Sequence, residues 1–128
     1  MIAVDTSALM AIVLHEPAGP SCVEALMANS PLLISAGTLT EALIVSQARH
    51  SRADMQSLVD DLAFEIIPVT EASARRVADA HARWGRGAKT AGLNFGDCFA
   101  YQVAKENNCP LLYVGRDFAK TDVKSVLR

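Results

Sequence analysis

Four short, unbroken apolar runs alternate with longer helical patterns, and that alternation constrains the fold of this chain more than any other feature of its sequence. The runs are Ile2–Val4, Leu32–Ser35, Phe64–Ile67 and Leu111–Val114. Asp5-Thr6-Ser7 ends the first. Pro31 and Gly37 flank the second, Pro68 closes the third, and Pro110 and Gly115 bracket the fourth. Runs without polar alternation suit strands buried on both faces, as in a parallel sheet. Helical patterns fill the intervals: Ser7–Leu14, Pro20–Asn29, about Leu39–Arg49, Asp54–Leu62, Glu71–Trp84 and about Gly96–Asn107. Gly85–Gly92, with three glycines beside Arg86 and Lys89, reads as a mobile loop. The expectation is one domain over residues 1–128, of α/β class with a mainly parallel sheet.

Composition narrows the class further. Half the residues are hydrophobic, which excludes a disordered tail protein. The formal charge of −2 argues against a simple basic nucleic-acid binder. The charge is uneven, however: residues 1–64 hold seven acids and two bases, and residues 65–128 seven acids and ten bases. Cys22, Cys98 and Cys109 are odd in number and form no CxxC pair, so buried thiols are expected rather than a disulfide framework or zinc site. The N-terminus has no basic signal-peptide region, and the longest apolar stretch, Ala8–Leu14, is far too short to span a bilayer. A cytoplasmic protein follows as the expectation.

In open parallel sheets, ligands bind beyond the carboxyl ends of the strands. Four acids stand there. Asp5 follows the first strand, Glu41 lies in the first turn of the helix after the second, Asp97 opens the helix before the last strand, and Asp117 follows that strand. Each also has a structural reading. Asp5 can cap a helix beginning at Ser7. Thr38-Leu39-Thr40-Glu41 fits a capping box. Asp97 suits a helix N-terminus, and Asp117 suits a turn. Together they are harder to explain structurally, because carboxylates held close repel one another and resist ionisation. A hard cation such as Mg²⁺ or Mn²⁺ resolves the repulsion and can activate water against a phosphate. Thr6 and Ser7 add hydroxyls that either cap the helix or orient a water.

Four segments, taken in order, resemble a PIN domain, and specifically a VapC-type toxin ribonuclease of a type II toxin–antitoxin system. They are Met1-Ile2-Ala3-Val4-Asp5-Thr6-Ser7-Ala8-Leu9, Ile34-Ser35-Ala36-Gly37-Thr38-Leu39-Thr40-Glu41, Leu93-Asn94-Phe95-Gly96-Asp97-Cys98-Phe99-Ala100-Tyr101, and Pro110-Leu111-Leu112-Tyr113-Val114-Gly115-Arg116-Asp117-Phe118. The resemblance implies a three-layer α/β/α sandwich around a central, mainly parallel sheet. It implies a Mg²⁺- or Mn²⁺-dependent endoribonuclease that leaves 5′-phosphate and 3′-hydroxyl ends. The implied catalytic and metal-binding residues are Asp5, Glu41, Asp97 and Asp117. Asp5, Asp97 and Asp117 would hold one ion, while Glu41 binds a second ion or steers water. A homodimer and a small VapB-like antitoxin that blocks the site are implied as well.

The chain departs from the family pattern in the last turn, where Arg116 stands in a slot that often carries Asn or Asp. Arg116 then either contacts phosphate or faces solvent, and Asp122 is a further, weaker metal contact. Arg75, Arg76, Arg83, Arg86 and Lys89 form either an RNA backbone track or a solvated helix face. Trp84 either stacks on a base or packs in the core. Two rival readings exist: a metal-free binding module, and a phosphoryl-transfer domain with Asp5 as nucleophile. The second expects Asp-x-Asp, and position 7 is Ser. Without the four site acids the remainder carries twelve bases against ten acids, so the net charge leaves RNA as a possible substrate.

Overall fold

The computed structural model describes residues 1–87 and 91–127. Among the described residues, ten elements run in the order β1 (Ile2–Val4), α1 (Thr6–Val13), α2 (Gly19–Ala28), β2 (Leu32–Ser35), α3 (Ala36–Ala48), α4 (Arg52–Leu62), β3 (Glu65–Ile67), α5 (Glu71–Trp84), α6 (Phe95–Glu106) and β4 (Leu111–Leu112). The strands form one sheet in the order β3-β2-β1-β4, with every neighbouring pair parallel.

Strand alternation divides the core into two halves. Ile2, Val4, Leu32, Ile34 and Leu112 face one apolar cluster with Leu9, Leu26, Ala42 and Met55 from α1 to α4. Ala3, Leu33 and Leu111 face the other with Val77, Ala80 and Trp84 of α5 and Cys98, Tyr101 and Val103 of α6. Successive strand residues point to opposite faces, so both sides of the sheet need helical cover. The result is the three-layer α/β/α arrangement expected from the sequence. In α5, Ser73, Val77, Ala80 and Trp84 recur at helical spacing and make its buried stripe.

Two strands differ from the sequence expectation. Phe64 lies outside β3, which sits at the sheet edge, where Glu65 and Ile66 are exposed rather than covered on both faces. The fourth strand stops at Leu112 because the Val114 amide turns away to donate to Ser7 Oγ at 3.0 Å. Beyond β4, Leu111 donates to Lys124 and accepts from Val126, so the C-terminal segment covers this edge. Cys22 and Cys98 are buried thiols and Cys109 is half-buried. Among the described residues no helix is long and apolar enough to cross a membrane. The expected mobile loop falls partly on residues 88–90, outside the described residues.

Candidate active site

The register brings the carboxyl ends of β1, β2 and β4 level. Ala3 lies opposite Leu33 and Leu111, and Asp5 donates its backbone N–H to Leu112 at 3.0 Å. Asp5 is the N-cap of α1: its Oδ2 accepts from the Ser7 amide at 3.1 Å and the Ser7 hydroxyl at 2.6 Å. The other oxygen, Oδ1, is buried and has no hydrogen-bond partner. Capping and a functional role therefore coexist in one side chain, with one oxygen for each. Ser7 Oγ also accepts from Val114, tying α1 to the segment that leaves β4.

Glu41 stands in the second turn of α3, not the first. The helix begins at Ala36, capped by Ser35, whose Oγ accepts from Gly37 at 3.1 Å. Thr38 is thus inside the helix and buried, and the Thr38–Glu41 capping box suggested by the sequence does not form. Starting the helix earlier sends Glu41 toward α1, where Thr6 Oγ1 donates to its Oε1 at 2.6 Å. Gly96 backs the same carboxylate: a Cβ at position 96 would lie 1.9 Å from Glu41 Oε2. Only a residue without a side chain leaves room for that approach.

Asp97 occupies the third position of α6 and closes a capping box with Asn94. Asn94 Oδ1 accepts from the Asp97 amide at 2.8 Å, and Asp97 Oδ2 accepts from the Asn94 amide at 3.1 Å. Asp117 is exposed, in the turn after β4. The spacing Asn94-x-x-Asp97 was a readable cap signal, whereas nothing in the sequence marked the approach of Gly96 to Glu41.

The four acids form one electrostatic neighbourhood. Burial pushes the Asp5 carboxyl up to about 7; the Ser7 hydrogen bonds oppose this, and the charges of Asp97 and Glu41 add to it. Burial likewise pushes Asp97 up to about 6; the Asn94 amide opposes the rise, Asp117 and Glu41 reinforce it, and Arg86 pulls downward. Asp5 is 3% exposed and Asp97 6%. Buried like charges of this kind are a recurrent property of functional sites. Among the described residues no three His, Cys, Asp or Glu side chains are gathered tightly enough to chelate an ion as they stand. The donor set nevertheless suits a hard divalent cation. It is all-carboxylate, its members repel one another, and the buried Asp5 Oδ1 has no partner.

The remaining candidates separate cleanly. Asp122 is held by Tyr101, whose hydroxyl donates to Oδ1 at 2.5 Å, and by Lys105 at 3.2 Å, with Arg83 at 4.0 Å. Burial works to raise its pKa, but Tyr101 and Lys105 outweigh it and hold the carboxyl low. Trp84 is buried and donates to Tyr101 at 2.9 Å, so it packs in the core rather than offering a stacking face. Arg75 pairs with Glu71 and Arg76 with Glu106, while Arg83 lies over the Trp84 ring. The α5 face therefore carries acids beside its arginines. Arg116 is exposed, and Lys89 lies outside the described residues.

Comparison with known proteins agrees with this architecture. The PIN domain profile matches residues 2–124. Ribonuclease VapC28 of Mycobacterium tuberculosis is 39% identical over 129 residues, spanning 97% of this chain and 96% of its own length. The crystal structure of Mycobacterium tuberculosis VapC20, described as a sarcin-ricin loop cleaving toxin, superposes with a TM-score of 0.80 at 15% identity, covering 98% of each chain. VapBC2 from Rickettsia felis, solved on a DNA fragment from its promoter, gives a TM-score of 0.70 at 18% identity over 98% of this chain and 96% of that one.

Proposed function

The chain belongs to the PIN domain family, with VapC ribonucleases among its relatives, and on that premise we propose that it is a toxin ribonuclease that hydrolyses RNA phosphodiesters at the Asp5–Glu41–Asp97–Asp117 cluster. The observation that carries the reading is Asp5 Oδ1, a buried and unpartnered oxygen on a carboxylate that feels the charges of Asp97 and Glu41, with Asp117 acting in turn on Asp97.

Asp5, Asp97 and Asp117 are the residues that would hold Mg²⁺ or Mn²⁺, and Glu41 either holds a second ion or serves the water. A divalent ion bound there supplies an acidified water and neutralises charge on the phosphate oxygens. The chain's own residues do the rest. Ser7 fixes the Asp5 carboxylate so that Oδ2 is committed to the cap and Oδ1 is left without a partner. Thr6 holds Glu41 in one orientation, at a position from which it can accept a proton from an attacking water. Asn94 fixes Asp97 in the same way. Arg86, close enough to influence Asp97, offsets part of the repulsion that four acids present to an RNA phosphate.

The wider reading follows the same relatives. A small VapB-like antitoxin partner is supported by the architecture shared with the Rickettsia felis VapBC2 toxin. A homodimer is supported by Ile44 and Val45, which α3 leaves exposed one turn beyond Glu41. The cytoplasm is the compartment where such a pair would meet RNA. The test is RNA cleavage with added Mg²⁺ or Mn²⁺, with EDTA, and with Asp5→Asn. Cleavage by the native protein that stops with EDTA and with the variant supports the reading. Undiminished cleavage by Asp5→Asn overturns it.

A further inference from the structure

The bases in the second half of the chain fall into two groups. Arg75 pairs with Glu71, Arg76 with Glu106, and Arg83 and Lys105 with Asp122. Arg86, Arg116, Lys120 and Lys124 are exposed and enter no ion pair among the described residues. Two of this second group stand where the chain borders the acids.

Arg86 leaves α5 alongside Leu93. Its N–H donates to Leu93 at 2.9 Å, and Leu93 donates to Trp84 at 2.8 Å. Leu93 is fully buried, and the next residue, Asn94, is the cap that holds Asp97 by two hydrogen bonds. Arg86 is thus pinned to the backbone that leads straight into the Asp97 cap. Its charge reaches Asp97, which also feels Asp117.

Arg116 borders the cluster from the end of β4. It follows Gly115, whose φ of +100° turns the chain, and its carbonyl accepts from Ala119 at 3.1 Å. Before this turn, Val114 donates to Ser7 Oγ, and the Ser7 hydroxyl donates to Asp5 Oδ2. After it come Asp117 and then Phe118, which is buried with its ring centroid 5.0 Å from that of Tyr113. The backbone that carries Arg116 is therefore tied to Asp5 two residues before it and to the core two residues after it.

An RNA strand carries a negative charge at every phosphate. The phosphates on either side of the one being cut meet a cluster of carboxylates that repels them. Guanidinium groups without an ion pair at the borders of that cluster supply the missing attraction, and their planar fork suits a phosphate through two parallel hydrogen bonds. We propose that Arg86 and Arg116 form a backbone clamp, holding the phosphates that flank the scissile one from the α5 and β4 borders of the acids. The inference rests on the reading of the acids as an RNA-cutting site. Phosphate contacts fix register and carry no sequence information directly, so the clamp governs affinity and placement rather than base preference.

The experiment uses the full chain carrying Asp5→Asn and short unstructured RNAs of several sequences, with Kd measured across a salt series. Arg86→Ala and Arg116→Ala should each weaken binding about tenfold, equally for every RNA, and lower the slope of log Kd against log salt by about 0.7. Lysine at either position should keep the slope and recover part of the affinity. Lys124→Ala is the control. That lysine is also exposed and without an ion pair among the described residues, but its carbonyl accepts from Leu111, at the amino end of β4. Its loss should change Kd by no more than about twofold at physiological salt. All three side chains are exposed, so each variant should melt as its parent does. An unchanged Kd and slope in either arginine variant overturns the clamp and, where the native chain cuts RNA, leaves the ribonuclease reading standing. A loss confined to one RNA sequence also overturns it, since the arginine would then read a base. So does an equal loss in Lys124→Ala, which would make the attraction diffuse. If the native chain neither binds nor cuts RNA, the underlying reading fails with the clamp.

Discussion

The Thr6 hydroxyl donates a 2.6 Å hydrogen bond to Glu41 Oε1 and so fixes a carboxylate 35 residues away in the chain. It joins the first turn of α1 to the second turn of α3. Such a bond to a charged acceptor contributes about 1.5–3 kcal/mol, enough to hold one rotamer of a flexible acid. Thr6→Val keeps the shape and removes the donor. RNA cleavage should fall at least tenfold while circular dichroism and melting stay close to native. Thr6→Ser should restore most of the rate. If Thr6→Val cuts RNA at the native rate, Glu41 needs no such anchor.

Gly96 is constrained by the same carboxylate from the opposite side. An alanine methyl would fall 1.9 Å from Glu41 Oε2, and the flexible end of Glu41 would yield before any backbone did. Alanine also favours a helix over glycine by about 1 kcal/mol. Gly96→Ala should therefore separate activity from stability. The melting temperature should hold or rise slightly, while cleavage drops by an order of magnitude or more. Equal losses of both would show that position 96 is structural rather than tied to Glu41.

Much of this arrangement was legible from sequence because it depends on local rules. Short apolar runs between turn residues located four parallel strands, and parallel strands bring their carboxyl ends to one edge. Asp5 and Asp97 also lay where caps are expected, which is where they are. What sequence could not show depends on where chains meet. Glu41 moved from the first to the second turn because Ser35, not Thr38, caps α3. Val114 left the strand because Ser7 offered its amide a better acceptor. The Thr6–Glu41 bond and the Gly96 contact each join segments more than thirty residues apart, and no local pattern encodes them. Arg75 and Arg76 looked basic in sequence and are balanced in space by Glu71 and Glu106.

The buried Asp5 carboxyl makes the metal-free protein sensitive to pH in a defined direction. Its pKa rises from 3.8 to about 7 on folding, through burial above all. Between those values the native state holds more protons than the unfolded chain, so stability falls as pH rises through the window and levels off above it. At about 1.4 kcal/mol per decade, the penalty approaches about 4 kcal/mol. Asp5→Asn removes it, and an Asn side chain still accepts from the Ser7 amide at the cap. In EDTA, the variant should melt above native protein at pH 8 and alongside it near pH 4. Denaturant titrations across pH 4–8 give the comparison, and a native curve with no fall in stability over that range would contradict the assignment.

The same penalty predicts how a cation should act on the fold. A ligand that binds only the native state stabilises it by RT ln(1 + [L]/Kd), about 2.7 kcal/mol at a hundredfold excess over Kd. Relief of the repulsion among Asp5, Asp97, Glu41 and Asp117 is one source of the affinity that sets Kd for Mg²⁺ or Mn²⁺ at the acids. Thermal scans at pH 7.5 should show the melting temperature rising by several degrees as Mn²⁺ is titrated in, and returning to its start with EDTA. Asp5→Asn and Asp97→Asn should each blunt the rise. Asp122→Asn should leave its size unchanged even if it lowers the starting value, since Asp122 is occupied by Tyr101 and Lys105. Stabilisation that persists in Asp5→Asn and vanishes in Asp122→Asn would place the ion at the C-terminal segment instead of at the strand ends.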